Sequence, residues 1–585
     1  MCVCDLGNSR DTRIQRNANQ LLWLLHGGPG TGKSHVIKTL QQDFFENVLQ
    51  WQAGLDFKVV ALQAVNAEAL DGDTIHHALG LQPFQSRSRG KQESGPSDEA
   101  AKLVSQWKWL IIDEISMVSV QFLAELDHHL RSIMSQVSRM KVDQLGHDRP
   151  FGGLHVIFCG DFHQLDPPTG TPIASIPTAF IQKARQYAPG ATEEHGQYIF
   201  WGDGEGSVQG VTELHECVRV EGEGNAWLLE VQDQFREGCL SEDNYNFMHG
   251  NATKVPGSWV NGKTLCGNSN CEKLVIASPD DIKKECDVCK EERKQRQLVA
   301  VSESDPRFKK PTFLEATAIF ANNDVKFHVA KSRARCWCAE RKKGITWSQA
   351  LDTPKHAGFQ KKPYLKADKK RWLTYHETYH DKNCAKLWGM LPLVKGMPVA
   401  LVDHLDRSPE KQLLRGRVGT VDSWVEHDKE KSMFSEQNAE RILTRPPKVV
   451  FVDFHTEKWQ IDNLRPGVYP VFSCDRSWFL DSYRKKPILR IQRTQLPLAP
   501  AFASTAHAAQ GQTLEAVIAD LQQGRGVSTV ASYVAITRVK KRKNLLIYRP
   551  FAREPFCSGP PKGVALLLQH LRGECIDWRS IEKEL

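Results

Sequence analysis

Largely apolar runs alternate with segments of helical spacing along the first 165 residues. Three apolar runs predict buried strands, at residues 21–25, 58–62 and 109–112. Two other stretches place apolar residues every three or four positions and predict helices, through Val36, Ile37, Leu40, Phe44 and Val48 in the first and Phe122, Leu126, Leu130 and Ile133 in the second. This succession predicts an α/β fold of parallel sheets with flanking helices.

A glycine-rich turn joins the first predicted strand to the first predicted helix. Its residues are Gly27, Gly28, Pro29, Gly30, Thr31, Gly32, Lys33 and Ser34. Such glycines let backbone N–H groups curve around a polyphosphate, and the helix N-terminus adds a favourable dipole. Lys33 would reach the β- and γ-phosphates, and Ser34 would ligate Mg²⁺. The alternative is a chance glycine turn before a helix; because the Lys-Ser pair is in place, we expect a nucleoside triphosphate to bind here.

Acidic and amide side chains follow the later strands. Asp113 and Glu114 come directly after the run at 109–112, and Gln164 follows a fourth apolar run at 154–159. Asp113 would hold Mg²⁺ and Glu114 would polarise the attacking water, whereas in other contexts such a pair is often a helix N-cap. Gln164 can hydrogen-bond the γ-phosphate or the attacking water. These residues predict hydrolysis of the nucleotide.

Length and charge add limits to this picture. The chain has 585 residues, which is enough for several domains. Its net charge of +8 indicates a mild preference for polyanionic partners. No apolar run reaches transmembrane length, so we expect no membrane association. The first residues lack the features of a secretory signal, and an odd number of cysteines, fifteen, then predicts a reducing compartment.

Four cysteines form two close pairs in a polar, charged segment: Cys266, Cys271, Cys286 and Cys289. Four thiolates in two pairs suit tetrahedral Zn²⁺, whose binding energy can replace a missing apolar core. The first pair has four intervening residues, a looser spacing than the usual two. We expect a zinc site; the alternative is a set of unligated cysteines in an insertion.

Three motifs together resemble motifs I, II and III of superfamily 1 helicases: the turn at 27–34, Asp-Glu-Ile-Ser-Met at 113–117, and Phe-Gly-Gly followed by Gly-Asp-Phe-His-Gln-Leu-Asp-Pro-Pro at 151–168. The second and third are similar to the Pif-type (petite-integration-frequency) branch, with its RecD-like and Helitron-type relatives. The resemblance implies two RecA-like P-loop domains, ATP and Mg²⁺ as ligands, and 5′→3′ helicase activity on DNA.

The same resemblance covers four further segments and assigns roles to their residues. Arg219 (motif IV) and Arg538 (motif VI) would be γ-phosphate arginines supplied by the second RecA-like domain; considered alone, each would be a surface ion pair. Contacts with the DNA backbone are implied for motifs Ib and V, through Thr74, His76, Thr505, His507 and Gln510. Without the resemblance, the turn at 72–77 is equally well an ordinary turn and helix cap. Residues 235–238 also fit the family pattern.

The resemblance implies a domain order. RecA-like domain 1A would span 1–210, with a 1B wedge at 80–104, and domain 2A would span 211–414 and 493–550. Domain 2A would contain the Cys-rich insertion at about 250–310 and surround an SH3-like β-barrel, the 2B insertion, at 415–492. Residues 551–585 would form a C-terminal tail.

The sequence departs from the family pattern at three places. Residues 63–69 lack the Thr-Gly and paired alanines usual in motif Ia, and Ala508 replaces the lysine usual in motif V. Gln15 and Gln20 precede the P-loop, but the pattern around the family's adenine-reading glutamine is absent. These departures put part of the DNA grip and the selection of adenine in doubt, whereas the hydrolytic set is intact.

Two functions follow, which share DNA as the partner and differ in whether the duplex is unwound. The first is an ATP-dependent helicase that translocates on single-stranded DNA and unwinds tailed duplex in genome maintenance, such as repair, recombination or telomere maintenance. The alternative is a DNA-binding ATPase that does not unwind, for example a decayed transposon-derived helicase. A P-loop ATPase acting on protein or small molecules would not need motifs Ib, IV and V. We expect the nucleus as the compartment, with the mitochondrion as the alternative; no protein partner is identifiable.

The zinc hypothesis predicts about one tightly bound zinc ion per chain, because four thiolates complete a tetrahedral site. Metal analysis of freshly purified protein, before and after chelation, measures this directly. Protein that carries no metal when freshly purified would rule the site out.

Overall fold

The computed structural model describes residues 20–81, 98–134, 148–177, 192–202, 206–220, 225–251, 253, 298–300, 302, 305–321, 323–355, 384, 386–408, 410–427, 433–435, 440–481, 487, 490–522 and 528–584. The cysteines of the predicted zinc site, Cys266, Cys271, Cys286 and Cys289, lie outside these ranges, so zinc binding stays a prediction. Most of the predicted wedge at 80–104 also lies outside them.

The strands are numbered in chain order. Strands β1–β6 span Leu22–Gly27, Phe57–Ala61, Asp73–Thr74, Trp109–Asp113, His155–Gly160 and Val211–Leu214. Strands β7–β22 span Thr317–Phe320, Thr346–Gln349, Leu351–Pro354, Met390–Leu393, Pro398–Leu401, Val418–Val425, Met433–Ser435, Glu440–Leu443, Val449–Asp453, Val468–Phe472, Cys474–Phe479, Arg490–Gln495, Leu498–Pro500, Ala503–Thr505, Val517–Ala519 and Leu545–Ile547.

The α-helices are numbered in the same way. Helices α1–α14 span Lys33–Thr39, Ala64–Glu68, Ile75–Ala78, Asp98–Val104, Val120–Met134, Glu193–Trp201, Ala226–Arg236, Glu242–Met248, Pro311–Leu314, Asn323–Glu340, Ala506–Ala509, Val530–Ile536, Lys562–Leu571 and Trp578–Glu584. Short 3₁₀ turns span Ile115–Met117, Pro150–Gly153, Pro306–Lys309, Arg542–Asn544 and Glu554–Cys557, and Leu40–Val48 is a π-helix.

A parallel sheet organises the first of two units, which comprises Met1–Cys239 and Phe556–Leu585. Its strand order is β3-β2-β4-β5-β1-β6, and all its pairs are parallel. Successive β4 residues enter opposite apolar clusters: Leu110 lies in one with residues of α5, and Ile111 lies in the other with Ile37 of α1. Because helices cover both faces, β4 is buried along its whole length.

The predicted boundary at residue 210 is wrong. Strand β6 pairs in parallel with β1, so the first sheet extends to Leu214, and the first unit continues to Cys239. The residues assigned to a C-terminal tail also belong largely to this unit, since Val564 and Leu567 of α13 are buried in its core. The family motifs gave no information on where α13 packs, because no motif lies beyond residue 539.

The second unit, Leu240–Pro555, has its own parallel sheet in the order β20-β7-β21-β22. Three strands of this sheet, β20, β21 and β22, belong to the returning segment predicted at 493–550, and β7 belongs to the segment before the predicted barrel. Two parallel sheets with flanking helices confirm the predicted α/β fold class.

Antiparallel strands occupy the region predicted as an SH3-like insertion at 415–492. A five-stranded sheet has the order β16-β15-β12-β11-β19, so it begins before and ends after the predicted range. Strand β18 begins inside the predicted range, but it pairs with β17 and β9 in a separate sheet. A buried ion pair explains this placement, because Arg493 Nε and Asp352 Oδ1 lie 2.9 Å apart across β18 and β9. The SH3-like character itself stays a prediction.

The helix after the glycine turn differs from the sequence pattern beyond Thr39. Residues Leu40–Val48 wind as a π-helix, and Leu49 N–H donates to Phe44 O, five residues earlier, at 3.0 Å. The wider turn moves Phe45 into the core at 1% exposure and leaves Val48 at 63% exposure. Val48 was placed on the buried face by a 3.6-residue period, which does not hold in this segment.

In the part of the chain that the structure describes, no helix has both the length and the apolar character needed to cross a membrane.

The close approach of α6 to α5 predicts a stability effect at Gly196. An added Cβ would lie 1.9 Å from the backbone oxygen of Val120, so Gly196→Ala should destabilise the protein by about 1–3 kcal/mol through overpacking. Urea or thermal unfolding measures this change. Gly344→Ala is the control, because a Cβ there meets nothing within 4 Å. Equal stability of the two variants would contradict the packing described here.

Candidate nucleotide-hydrolysis site

The predicted phosphate-binding turn lies between β1 and α1, as the sequence indicated. Gly30 and Gly32 have φ angles of +81° and +94°, which a residue with a side chain rarely adopts. Thr31 Oγ1 donates to Gly28 O at 2.9 Å and closes the turn on itself. The local geometry is therefore that of a backbone cradle for phosphate groups.

Lys33 extends back across this cradle. Its Nζ donates to Gly27 O at 2.7 Å and to Gly28 O at 3.0 Å. The ammonium group therefore lies against the backbone that would surround a polyphosphate. It is also near enough to Asp113 to favour the ionised form of that carboxyl group.

Asp113 and Glu114 form a buried carboxylate pair at the end of β4. Asp113 is 6% exposed and Glu114 is 5% exposed. Glu114 has a left-handed backbone, with φ 55° and ψ 46°. Such a conformation in a non-glycine residue is strained and is frequent at functional sites. Burial, and after it the Glu114 carboxylate, raises the pKa of Asp113, whereas Lys33 opposes this rise.

Cys159 of β5 supports this pair from the neighbouring strand. Its side chain forms a hydrogen bond with Asp113. Burial, and after it the nearby Asp113 charge, raises the pKa of the thiol well above its ordinary value, so the thiol is the donor. Sequence reasoning did not single out Cys159, although a cysteine within an apolar strand beside the acidic strand was a usable signal.

Gln164 follows β5 and is held by Asp161. Its backbone N–H donates to Asp161 O at 2.9 Å, and its side-chain Nε2 donates to Asp161 Oδ2 at 3.2 Å. Strands β4, β5 and β1 are neighbours and run parallel, so their carboxyl ends meet at one edge of the sheet. The structure thus brings Lys33, Asp113 and Gln164 to the same edge.

Arg219 belongs to the same unit as the glycine turn, not to the second one as predicted. Strand β6 leads the chain to it, and Val218 N–H donates to Gly30 O at 2.9 Å. A Cβ added to Gly30 would lie 2.3 Å from the Arg219 Cβ. The correction has a physical cause, because pairing of β6 with β1 carries residues 217–219 directly onto the turn.

A buried polar cluster lies behind the turn, and most of it was missed from the sequence. Asp161 is fully buried, and its carboxylate lies 2.8 Å from Arg236 NH1 and 3.5 Å from His26 Nε2. Burial alone would raise the pKa of Asp161, but the Arg236 guanidinium and the His163 side chain hold it well below its usual range. The signal for His26 was a polar residue between the apolar run at 21–25 and the glycine turn.

Arg538 lies in the second unit and is 1% exposed. Its Nε donates to Val534 O at 2.8 Å, and its NH2 donates to Thr537 Oγ1 at 2.7 Å. A surface ion pair, the alternative for this arginine, is therefore wrong. Its role at a γ-phosphate stays a prediction.

The predicted DNA-contacting residues are distributed over both units. In the first, Thr74 Oγ1 accepts from His77 N–H at 3.3 Å and caps α3, and the His76 ring stacks on Phe122 with centroids 4.9 Å apart. The helix cap weighed for this turn is thus present.

In the second unit, Thr505 caps α11 by accepting from Ala508 N–H at 3.4 Å, and His507 is half-buried. Gln510 is fully buried, so its side chain is not at the surface where a DNA backbone would bind.

Gln20 was available as a reader of adenine, but its amide has a structural role. Its Nε2 donates to Pro150 O at 2.7 Å and to Leu154 O at 2.6 Å. These bonds attach the start of β1 to the turn that precedes β5. Gln15 lies outside the described ranges.

Comparison with known families agrees with the resemblance that the motifs indicated. Residues 11–187 match the family model described as PIF1-like helicase. The ATP-dependent DNA helicase PIF1 of Saccharomyces cerevisiae (strain YJM789) is 31% identical over 183 residues, which cover 29% of this chain and 18% of the yeast protein. The matched part is thus about a fifth of the yeast protein's length. The predicted resemblance to Pif-type helicases is confirmed.

Solved structures show the same fold. A crystal structure of Pif1 helicase from Candida albicans has a TM-score of 0.50 and 18% identity, with 94% of this chain and 96% of that chain covered. A crystal structure of Pif1 helicase from Bacteroides in complex with ADP-AlF3 and single-stranded DNA has a TM-score of 0.53 and 17% identity, with 95% of each chain covered. The likeness therefore covers nearly all of this chain.

The contact between β6 and the glycine turn gives a testable expectation. Val218→Pro removes the N–H that donates to Gly30 O. The hydrogen bond that holds residues 217–219 on the turn contributes about 1 kcal/mol, so ATP turnover should fall roughly threefold to tenfold when it is lost. Steady-state hydrolysis kinetics measure this.

Val218→Ala is the matched control. It keeps the N–H, and the side chain is 63% exposed, so turnover should stay near that of the unaltered protein. If both variants hydrolyse ATP equally well, the contact has no part in turnover.

Proposed function

Because residues 11–187 match the PIF1-like helicase family model, we propose that this chain is an ATP-dependent DNA helicase that translocates 5′→3′ on single-stranded DNA and unwinds duplex. One observation carries the proposal: Lys33, Asp113 and Gln164 share one edge of the first sheet. That edge has a phosphate cradle, a buried acidic pair and an amide, which together suit hydrolysis of a nucleoside triphosphate.

The residues of the edge have separable tasks. The backbone of the turn would bind the phosphate groups, and the Lys33 ammonium would compensate the charge of the β- and γ-phosphates. Glu114 would accept a proton from, or orient, the attacking water, and its strained backbone holds the carboxylate beside Asp113. Arg219, close to Gly30, would bind the γ-phosphate, and Arg538 would contribute a second guanidinium.

Ser34 and Asp113 fit Mg²⁺ by their chemistry. A hydroxyl and a carboxylate are the hard oxygen ligands that this ion prefers, and Ser34 is exposed to solvent. The pKa of Asp113 is raised by burial and then by Glu114, which marks negative charge that a divalent cation would neutralise. When bound, Mg²⁺ supplies charge neutralisation to the phosphate groups.

DNA as the partner rests on the family motifs and on the neighbours. The Bacteroides Pif1 helicase was crystallised with single-stranded DNA. Thr74, His76, Thr505 and His507 are the proposed contacts with the DNA backbone, whereas the burial of Gln510 favours a supporting role for it. We further propose tailed duplex as substrate, genome maintenance as the task, and the nucleus or else the mitochondrion as the compartment.

The alternative is a DNA-binding ATPase that does not separate strands. Two features favour it, namely the unusual residues 63–69 and an exposed alanine at position 508 where the family has lysine. Both would weaken the grip on DNA without altering the hydrolytic residues. Single-stranded DNA that is bound weakly can stimulate ATP hydrolysis although the enzyme does not separate the strands of a duplex.

The test is ATP hydrolysis with and without single-stranded DNA, followed by unwinding of duplexes that carry either a 5′ or a 3′ tail. The proposal expects hydrolysis to be stimulated by DNA and only the 5′-tailed duplex to be unwound. Hydrolysis that is indifferent to DNA would exclude the helicase. Stimulation without strand separation would select the alternative.

Lys33→Ala should reduce hydrolysis by at least about 100-fold, because the phosphate-compensating charge is removed. The matched control is Lys38→Ala, which deletes an exposed lysine from the same helix α1 and should leave turnover unchanged. Hydrolysis rates, with unfolding curves to verify the fold of each variant, decide the outcome. Normal turnover in Lys33→Ala would mean that the site is wrongly assigned.

A further inference from the structure

The cluster behind the glycine turn comprises His26, Asp161, His163, Gln164 and Arg236, and we call it the Asp161 cluster. In the proposed hydrolysis, Gln164 is the member of this cluster that contacts the nucleotide or the attacking water. The other four residues are nonetheless buried or nearly buried, and such polar clusters are stable only when their charges and hydrogen bonds are matched.

Three different elements contribute to the Asp161 cluster. His26 is the residue before Gly27 on β1, Asp161 follows β5, and Arg236 is the last residue of α7. Arg236 NH1 donates to Asp161 Oδ2 at 2.8 Å, and Gln164 Nε2 donates to the same oxygen at 3.2 Å. The single carboxylate of Asp161 thus connects the end of a helix to the amide of Gln164.

A metal ion is not the best explanation of the cluster. Ligand atoms of His26, Asp161 and His163 lie within 4.8 Å of one another, which is close enough to hold a cation. However, the Arg236 guanidinium already neutralises Asp161, and Phe162 N–H donates to His26 Nε2 at 3.2 Å. The His26 lone pair that would bind a metal is therefore in use, and the carboxylate charge that would attract a cation is already compensated by Arg236.

The charge state of the cluster follows from its contacts. Burial lowers the pKa of His26 to about 3, so this ring is neutral at physiological pH. The Arg236 guanidinium, acting against burial, keeps Asp161 ionised. An ionised carboxylate can only accept hydrogen bonds, so it binds the NH₂ end of the Gln164 amide and fixes the orientation of that side chain.

We propose that Asp161 and Arg236 are positioning residues for hydrolysis, in which Arg236 holds the Asp161 carboxylate and Asp161 orients the Gln164 amide. This inference rests on the proposed function, because Gln164 is taken to act on the γ-phosphate or the attacking water. It gives a role to Arg236, which belongs to the segment 235–238 that fits the family pattern but had no assigned task. The exposed fraction of the Arg236 side chain, 16%, shows that the guanidinium is largely withdrawn from solvent.

The first test is a double-mutant cycle between Asp161→Asn and Gln164→Ala. Each single variant should lower kcat for ATP about 100-fold, since a small misplacement of a reacting group can have an effect of this size, with KM changed less than about threefold. If Asp161 acts through Gln164, adding Asp161→Asn to Gln164→Ala should lower kcat by no more than about twofold. Equal effects of Asp161→Asn in both backgrounds would overturn the proposal.

The second test uses the pH profile of kcat in Arg236→Met and Arg236→Lys. The groups that face Asp161 are His26 on β1, His163 on its own loop and Arg236 on α7. Without the guanidinium, burial should raise the pKa of Asp161 into the working range, so kcat should fall as the pH is lowered from about 8 to 6. Arg236→Lys keeps a cation and should keep the profile of the unaltered protein. A pH-independent loss in Arg236→Met would contradict the proposed role.

His26 is itself faced by Glu213 on β6, at 3.8 Å, and lies within the influence of Lys33. Glu213 and Lys33 are the same in all the variants, so they do not cause a difference between the pH profiles of kcat. Lys108→Met is the control, because it breaks an ion pair with Asp56 at the surface of the same unit and should change neither kcat nor its pH profile.

Failure of this inference is distinguishable from failure of the proposed function. If the unaltered protein does not hydrolyse ATP, the proposed function is wrong. If it does, and the cycle is additive, only the positioning role is wrong. If Arg236→Met does not fold, as unfolding curves would show, the near-isosteric Asp161→Asn in the cycle still decides the matter.

Discussion

The pairing of β1 with β5 on one side and β6 on the other is the constraint on which the hydrolytic site depends. Because these strands are parallel, their carboxyl ends deliver the glycine turn, Gln164 and residues 217–219 to one edge. The same pairing places His26 directly behind the turn. A single strand therefore fixes both the surface that would meet phosphate and the buried polar cluster beneath it.

Most of this edge could be predicted because its chemistry is local in sequence. The turn at 27–34 and the Asp113–Glu114 pair are continuous segments, and apolar runs place each one after a strand. Arg219 could not be placed correctly, since its position depends on β6 joining the first sheet, and a four-residue strand with no fully buried residue has no strong apolar signal. Arg236 fell in a segment that fits the family pattern, but its role was not predictable, because its partner Asp161 is 75 residues away in the chain.

The helix after the turn shows a second limit of sequence patterns. A 3.6-residue period fits Val36, Ile37 and Leu40, and it fails where the helix widens into a π-helix, burying Phe45 instead of Val48. In the second unit, β18 begins inside the range predicted for the barrel but pairs with β9, and the buried ion pair of Arg493 and Asp352 joins these two strands. A local change of helix type and a contact between distant strands are both features that apolar periodicity does not encode.

The hydrogen bond between Cys159 and Asp113 has a consequence for the chemistry of thiols. Oxidants and alkylating reagents attack the thiolate, and Cys159 is both fully buried and held in its protonated form. Among the residues that the structure describes, the exposed thiols are those of Cys239, Cys557 and Cys575. Reporter groups attached at these three positions, or oxidation there, would leave the acidic pair of the hydrolytic site chemically untouched.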